Sequence, residues 1–214
     1  MRNDPLLLGS TKKGRRVPPS VPLALAALQL AALAFAALAP HAAAAQAFDY
    51  TYVEGAYLNR ELDVGPRTLD GDGLGITGSL ALGDKYYVFA DYGSSSFDLD
   101  VDTSGYDLGV GRRWPLQQKL DAFVDLAFVH ARVETRFGNA DDDGYGVDAG
   151  LRSRVADKVE LQGAISYVDL SDSDTSLSIA GRYYLTSTVA VGAGYVFNND
   201  DGGWNVTLRA EFGR

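Results

Sequence analysis

The fold this sequence predicts is all-β, a ten-stranded antiparallel up-and-down transmembrane β-barrel. The first observation is period-two alternation from Leu74 to Phe212. In Val159-Glu160-Leu161-Gln162-Gly163-Ala164-Ile165-Ser166-Tyr167, one face collects Val159, Leu161, Ile165 and Tyr167 and the other Glu160, Gln162, Ala164 and Ser166. That repeat belongs to a strand and not to a helix. The second observation is that tight turns alternate with longer acidic connections, and the third is an export-type segment at the start. A soluble sandwich also alternates, but both inner faces must then build an apolar core. Here the second face carries Glu, Asp, Arg, Gln, Ser and Gly, so it suits a polar interior and leaves the apolar face to meet lipid. These features together point to an outer membrane.

Lys12, Lys13, Arg15 and Arg16 precede an apolar run from Val21 to Leu38 and then Ala43-Ala44-Ala45-Gln46-Ala47. A basic region, an apolar region and small residues in this order form a secretory signal. Residues 1–47 are therefore expected to be a signal peptide, with cleavage after Ala45 or after Ala47, and residues 48–214 the barrel domain. The apolar run is also long enough for a retained anchor, and the long basic region allows a start codon further downstream. Setting 1–47 aside removes five of the 19 Lys and Arg and one of the 28 Asp and Glu, leaving 14 bases against 27 acids, a net charge of −13. Such a balance argues against nucleic acid, whose phosphates attract Lys and Arg. With no cysteine, disulfides and thiolate metal sites are excluded. Beyond residue 47 only Pro66 and Pro115 occur, both expected in connections, because proline cannot donate to a sheet ladder.

The ten expected strands are Phe48–Glu61, Asp70–Leu82, Tyr86–Phe97, Gly105–Trp114, Lys119–Phe137, Gly144–Val155, Val159–Leu170, Thr175–Leu185, Val189–Asn198 and Gly203–Phe212. Each supplies the roughly 9–11 residues that a tilted strand needs to span. Tight connections fall at Gly83–Lys85, Pro115–Gln118, Ala156–Lys158 and Thr186–Thr188. Acidic ones fall at Leu62–Leu69, Asp98–Ser104, Gly138–Asp143, Ser171–Asp174 and Asn199–Gly202. Short periplasmic turns and longer outer loops follow the barrel rule, and an even strand count puts both termini in the periplasm.

Outward residues are expected to be Leu74, Ile76, Leu80, Val88, Leu108, Val110, Val124, Leu126, Val147, Leu151, Leu161, Ile165, Leu177, Ile179, Val191, Val206 and Leu208. Tyr86, Tyr106, Trp114, Tyr145, Tyr167, Tyr183, Phe197, Trp204 and Phe212 sit towards strand ends on the same face, as interfacial aromatic girdles do. Glu54, Asp91, Asp107, Asp121, Asp125, Asp148, Glu160 and Glu211 should face in, against Arg113, Arg152, Arg182 and Arg209. Buried charges must pair or be hydrated, so an ion-pair network filling the lumen is expected. Gly75, Gly109, Gly111, Gly146, Gly150, Gly192 and Gly194 share that face and should leave room for the arginines. The first strand conflicts with this assignment, because Tyr50 and Tyr52 have the parity of Glu54. A bulge or an inward aromatic pair would resolve it.

Phe48-Asp49-Tyr50-Thr51-Tyr52-Val53-Glu54-Gly55-Ala56-Tyr57 resembles the first strand of a family of small outer-membrane barrels of plant-associated and related Gram-negative bacteria, early discussed as immune-eliciting or signalling proteins. The similarity continues at Gly73–Ser79, Tyr86–Tyr92, Asp107–Gly111 and Gly146–Ser153. More broadly the chain is similar to the OmpA/OmpX-like group. The resemblance implies a monomeric barrel of the cell outer membrane without established catalysis. Asn205, Ala210 and Phe212 also resemble the last-strand signal read by the outer-membrane insertion machinery, although Thr207 stands where glycine is usual and Gly213-Arg214 follow the aromatic.

Chemistry is sparse. His130 is the one histidine beyond the export segment, with Arg132, Glu134 and Arg136 following it. An outer-rim protease, as in the ten-stranded omptins, or a lipid A-modifying enzyme would need an orienting partner and a nucleophile or water. Asp98, Asp100 and Asp102 are the candidate orienting acids, and Ser94, Ser95 and Ser96 carry no nucleophile motif. Asp98-Leu99-Asp100-Val101-Asp102 has calcium-loop spacing, but Thr103 and Gly109 stand where an EF-hand requires Gly and Glu. The spacing instead puts three carboxylates on one face of an extended strand. No catalytic, cofactor-binding or metal-binding residue is assigned, and no cofactor is expected.

The expected role is non-enzymatic: envelope structure, envelope integrity or surface interaction such as adhesion. Its partners are outer-membrane lipids and lipopolysaccharide, and the insertion machinery during biogenesis. The rival readings are the His130 rim enzyme and a narrow cation-selective pore. The outer acids, Asp141–Asp143 among them, either stay solvated or hold Ca²⁺ or Mg²⁺ against lipopolysaccharide phosphates. A barrel of this kind should fractionate with outer membranes and shift in electrophoretic mobility between heated and unheated samples. A soluble periplasmic protein with no such shift would contradict the assignment.

Overall fold

Every backbone N–H and C=O that enters hydrocarbon must find a partner within the protein, and this chain meets that demand by closing its sheet. The computed structural model describes residues 48–64, 67–198 and 201–212; the export segment at 1–47, Pro66 and Gly213-Arg214 lie outside the described residues. Ten strands run in order: β1 (Tyr52–Val64), β2 (Arg67–Leu82), β3 (Tyr86–Phe97), β4 (Val101–Gln117), β5 (Leu120–Thr135), β6 (Gly138–Ala156), β7 (Val159–Asp169), β8 (Ser173–Tyr184), β9 (Val189–Phe197) and β10 (Asp201–Glu211). Each pairs antiparallel with its neighbours in sequence, and β1 pairs with β10 from Tyr52↔Glu211 to Leu62↔Asp201, which closes the barrel. Each of the ten described strands therefore has a hydrogen-bonded neighbour on both sides.

The faces follow the alternation. Leu74 is 67% exposed and Leu208 57%, whereas Glu160 is 0% exposed. This inversion of a soluble core is what lipid outside and a polar interior require. Aromatic side chains belt the outward face. At the outer level Tyr57 lies against Trp204, Tyr106 against Phe128, Tyr145 against Tyr167 and Tyr195 against Phe197, with ring centroids 4.5–6.4 Å apart. Tyr86, Trp114, Tyr183 and Phe212 are exposed at the inner level.

The outer connections differ from expectation. β3 and β4 pair up to Phe97↔Val101, and β5 and β6 up to Thr135↔Gly138. The acidic segments expected as long loops at 98–104 and 138–143 are therefore mostly ladder. Alternating polar residues such as Ser94-Ser95-Ser96 suit a strand wetted on its outer side, and continuing the ladder satisfies backbone groups that a loop would leave to water. Asp98, Leu99 and Asp100 form the reversal, with Leu99 at φ 66° and Asp100 at φ 58°. Asp98 and Asp100 thus lie in a turn, and the expected row of three carboxylates on one strand face does not exist.

Two further expectations are corrected. Pro115 lies inside β4 at a register shift between Pro115 and Gln117, not in a connection; an irregular end of the ladder is where a residue without an N–H is tolerated. The first strand begins at Tyr52, because residues 48–50 turn into the lumen, where Phe48 and Tyr50 are buried. No bulge interrupts β1 against β2, so the inward aromatic pair is the resolution.

The inward glycines face rings more than arginines. A Cβ on Gly109 would strike Phe89, one on Gly111 Tyr87, and one on Gly150 Phe123, while one on Gly192 would meet the Arg182 side chain at Cγ. Gly150→Ala should therefore destabilise the barrel by about 1–3 kcal/mol through overpacking. Gly55→Ala, where a Cβ meets nothing within 4 Å, should be neutral. Unfolding midpoints in detergent or vesicles check the contrast.

Candidate functional site

The inner end of the lumen is crowded by buried side chains from most of the circumference. Strand parity turns Arg152 and Arg154 on β6, Glu160 on β7, Arg182 and Tyr184 on β8, Arg209 and Glu211 on β10 and Glu54 on β1 inward, and all eight are buried. Arg152 grips Glu160 with two donors, Nε to Oε1 at 2.8 Å and Nη2 to Oε2 at 3.1 Å. Arg182 Nη1 donates to Glu160 Oε1 at 3.1 Å, and its Nε donates to Glu54 Oε2 at 3.0 Å. Arg209 Nε reaches the same Glu54 oxygen at 2.9 Å. The Tyr184 hydroxyl stands 3.0 Å from Glu160 Oε2 and 2.5 Å from Glu211 Oε1. Bidentate, charge-shared contacts of this kind offset the desolvation of the ions they join.

The segment 48–50 is built into this closure. Arg152 Nη1 donates to the Asp49 carbonyl at 3.0 Å and Arg113 Nη1 to the Phe48 carbonyl at 3.3 Å. The guanidiniums of Arg152 and Arg154 lie 5.0 and 5.8 Å from the Phe48 ring centroid. Tyr50 packs on Tyr87 at 4.7 Å, and its hydroxyl donates to Asp121 Oδ2 at 3.3 Å. Phe48, Tyr50, Tyr87 and Phe89 thereby form an apolar cluster inside a polar lumen.

Above the closure lies a cavity of about 400 Å³ with charge divided between its walls. Asp91 and Asp107 are register partners on β3 and β4, and Asp125 and Asp148 on β5 and β6. Thr77 donates to Asp91 and Tyr87 to Asp125, both at 2.5 Å. Arg152, Arg182 and Arg209 line the same cavity.

All eight acids and four arginines expected inside are there, but only some meet. Glu54, Glu160 and Glu211 join the arginine network, Asp121 pairs with Arg113 at 3.5 Å, and among the described residues the other four make no ion pair. The sequence reading missed Arg154, whose parity equals that of Arg152, and the inward rings of Phe48, Tyr87, Phe89, Phe123 and Tyr184. Hydrophobic parity alone gives no signal for rings on a polar face; the facing glycines at 109, 111 and 150 do.

His130 lies on the outward face of β5, just beyond the aromatic belt. Its Nδ1 is 2.7 Å from Asp143 Oδ1, and its ring stacks on Tyr106 at 4.8 Å. The orienting acid is thus the cross-strand partner Asp143, and no contact joins His130 to Asp98, Asp100 or Asp102. Among the described residues no serine or threonine contacts the ring. Asp141 lies 3.4 Å from Arg132 Nε. Asp142 accepts the Ser171 N–H at 2.8 Å, and bonding from Ser171 holds its carboxyl below the ordinary range. Among the described residues no three His, Asp or Glu side chains converge as a metal site.

The outer membrane protein beta-barrel domain family matches residues 30–197. The chain belongs to that family. It is accordingly a protein of the outer membrane, which makes the aromatic belts its interfaces; the end bearing the 48–50 segment is the one expected in the periplasm. Similar solved structures include Neisserial surface protein A, at 15% identity over 75% of this chain and 96% of that one with a TM-score of 0.41. The attachment invasion locus protein Ail of Yersinia pestis is 12% identical over 75% and 97%, TM-score 0.40. The N-terminal β-barrel domain of Pseudomonas aeruginosa OprF is 13% identical over 77% and 100%, TM-score 0.40. No curated protein matches the chain in sequence.

Glu160→Gln should be the most damaging single change in the closure. It removes the charge that Arg152, Arg154 and Arg182 share, and breaking such a buried cluster costs about 3–5 kcal/mol. The expected result is a lower midpoint in heat or urea unfolding, with Glu134→Gln at the exposed rim almost unchanged. Equal midpoints would remove the network from the account of stability.

Proposed function

We propose that this outer-membrane barrel is a non-enzymatic, monomeric element of envelope structure or surface interaction whose lumen is closed to solute flow at the periplasmic end. The observation that carries the reading is the seal: the Glu54–Glu160–Glu211 arginine network with Phe48–Tyr50 lodged among it. Moving a solute past it requires unpairing buried ions, each change costing several kcal/mol. The surface then left for interaction is the outer rim, where the extended β3–β6 hairpins present Asp102, Glu134 and Asp141 beyond the bilayer. Outer-membrane lipids and lipopolysaccharide are the partners in reach there, and the insertion machinery would act on β10 during assembly.

A narrow cation path is the second reading, favoured by Asp91, Asp107, Asp125 and Asp148 around the cavity. The rim-enzyme reading is weaker. Asp143 does orient His130, but the ring is committed to Tyr106 and faces the membrane surface with no nucleophile in contact.

Purified protein in planar bilayers should give no porin-sized steps, and shortening the chain through Tyr50, or replacing Glu54 and Arg209 together with Ala, should raise conductance. Stable large steps from the unaltered protein would overturn the closed lumen. His130→Ala should leave peptide and lipid A cleavage at background in both proteins; an activity lost on that change would establish the enzyme instead.

A further inference from the structure

Arg112 breaks the rule of the lipid-facing surface. Along the outward face of β4 the residues are Tyr106, Leu108, Val110, Arg112 and Trp114, all exposed. An arginine facing lipid costs about 2–4 kcal/mol at the midplane and about 0–1 near an interface. Register settles its depth: Arg112 is the partner of Tyr86, the first residue of β3 after the Gly83–Lys85 turn. Arg112 therefore stands at the periplasmic interface.

Two girdle rings hold it there. Its guanidinium lies 5.6 Å from the Tyr86 ring centroid and 4.8 Å from that of Trp114. Arg113, one residue on and facing in, donates to Asp84 O, Phe48 O and Asp121. The Arg112 guanidinium makes no hydrogen bond or ion pair among the described residues. The rings contact the cation through their π-faces and accept no conventional hydrogen bond, so the fork of N–H donors on a guanidinium has no acceptor from the protein. At this depth the membrane supplies one in quantity, the phosphodiester of a phospholipid headgroup, and a planar guanidinium binds phosphate oxygens in a paired geometry. On the hydrocarbon side of it Leu80, Leu108 and Val110 are each more than half exposed, an apolar surface for the acyl chains below such a headgroup.

We propose that Tyr86, Arg112 and Trp114 form a binding site for one phospholipid of the periplasmic leaflet, its phosphate held by Arg112. An anionic headgroup such as phosphatidylglycerol is preferred to a zwitterionic one, whose own ammonium competes for the phosphate. The site is independent of the lumen and of its closure.

The chain has two tryptophans, Trp114 and Trp204, so Trp204→Phe leaves Trp114 as a reporter beside the site. The full-length protein carrying that change is reconstituted with brominated-chain phosphatidylglycerol or brominated-chain phosphatidylcholine in an unlabelled matrix. Trp114 fluorescence should be quenched more strongly by the anionic lipid, and millimolar inorganic phosphate should not reverse the difference. Arg112→Gln should lose the preference, and Arg112→Lys, which keeps the charge without the fork, should retain part of it. The heat-dependent mobility shift verifies folding of each variant. Equal quenching by the two lipids in the parent protein overturns the proposal even if no variant folds. A preference that survives Arg112→Gln also overturns it, and abolition by inorganic phosphate would make this a free-phosphate site instead of a lipid site.

Discussion

The pairing of β1 with β10 is the constraint on which the rest of this barrel depends. Inside hydrocarbon an unpaired backbone group costs several kcal/mol, so a sheet of ten strands with one open edge has no stable place in a membrane. Closing it over Tyr52↔Glu211 to Leu62↔Asp201 satisfies both edges at once. It also fixes which side chains meet inside. Glu54 on β1 reaches Arg209 on β10 and Arg182 on β8 only because the two ends of the sheet are joined.

Closure makes the interior a small enclosed volume, and the chain fills it in two ways. At the periplasmic end, glutamates and arginines alternate around the circumference and the 48–50 segment supplies carbonyls and rings. Further out, carboxylates gather on β3 to β6 without arginine partners and receive hydroxyl hydrogen bonds instead. The first arrangement is buried; the second surrounds open space. A single lumen thus combines a buried ion-pair network with a polar chamber, and Phe48, Tyr50, Tyr87 and Phe89 cluster beside them.

The outer face is organised by the same ladder carried past the membrane. Extending β5 and β6 sets Arg132 opposite Asp141 and His130 opposite Asp143, so each of these acids gains a cross-strand partner that a free loop would not hold in place. Cross-strand pairs of this kind contribute about 0.2–1 kcal/mol each, enough to favour ladder over loop when several recur. His130 is accounted for as one member of such a pair, stacked on the girdle through Tyr106.

Strand number, strand faces and girdles were legible in the sequence because each is a local property. Alternation follows from the pleat, and turns follow from residues such as Gly83-Asp84-Lys85. The eight inward acids and four inward arginines were legible for the same reason. Their pairing was not: Arg182 and Glu54 are 128 residues apart, and whether they meet depends on strand tilt and register accumulated around the whole barrel. The inward course of Phe48 to Tyr50 was equally hidden, since a strand-like sequence continues as strand unless a ring finds a better place among arginines and aromatics. The extension of the outer hairpins was decided by cross-strand partners no single strand reveals. What the sequence by itself determined is therefore the wall of the barrel, whose pattern is written residue by residue; only the tertiary structure decided the contents of the lumen, because which inward side chains meet depends on register and tilt, and contacts such as Arg182 with Glu54 join strands that are not neighbours in the sheet.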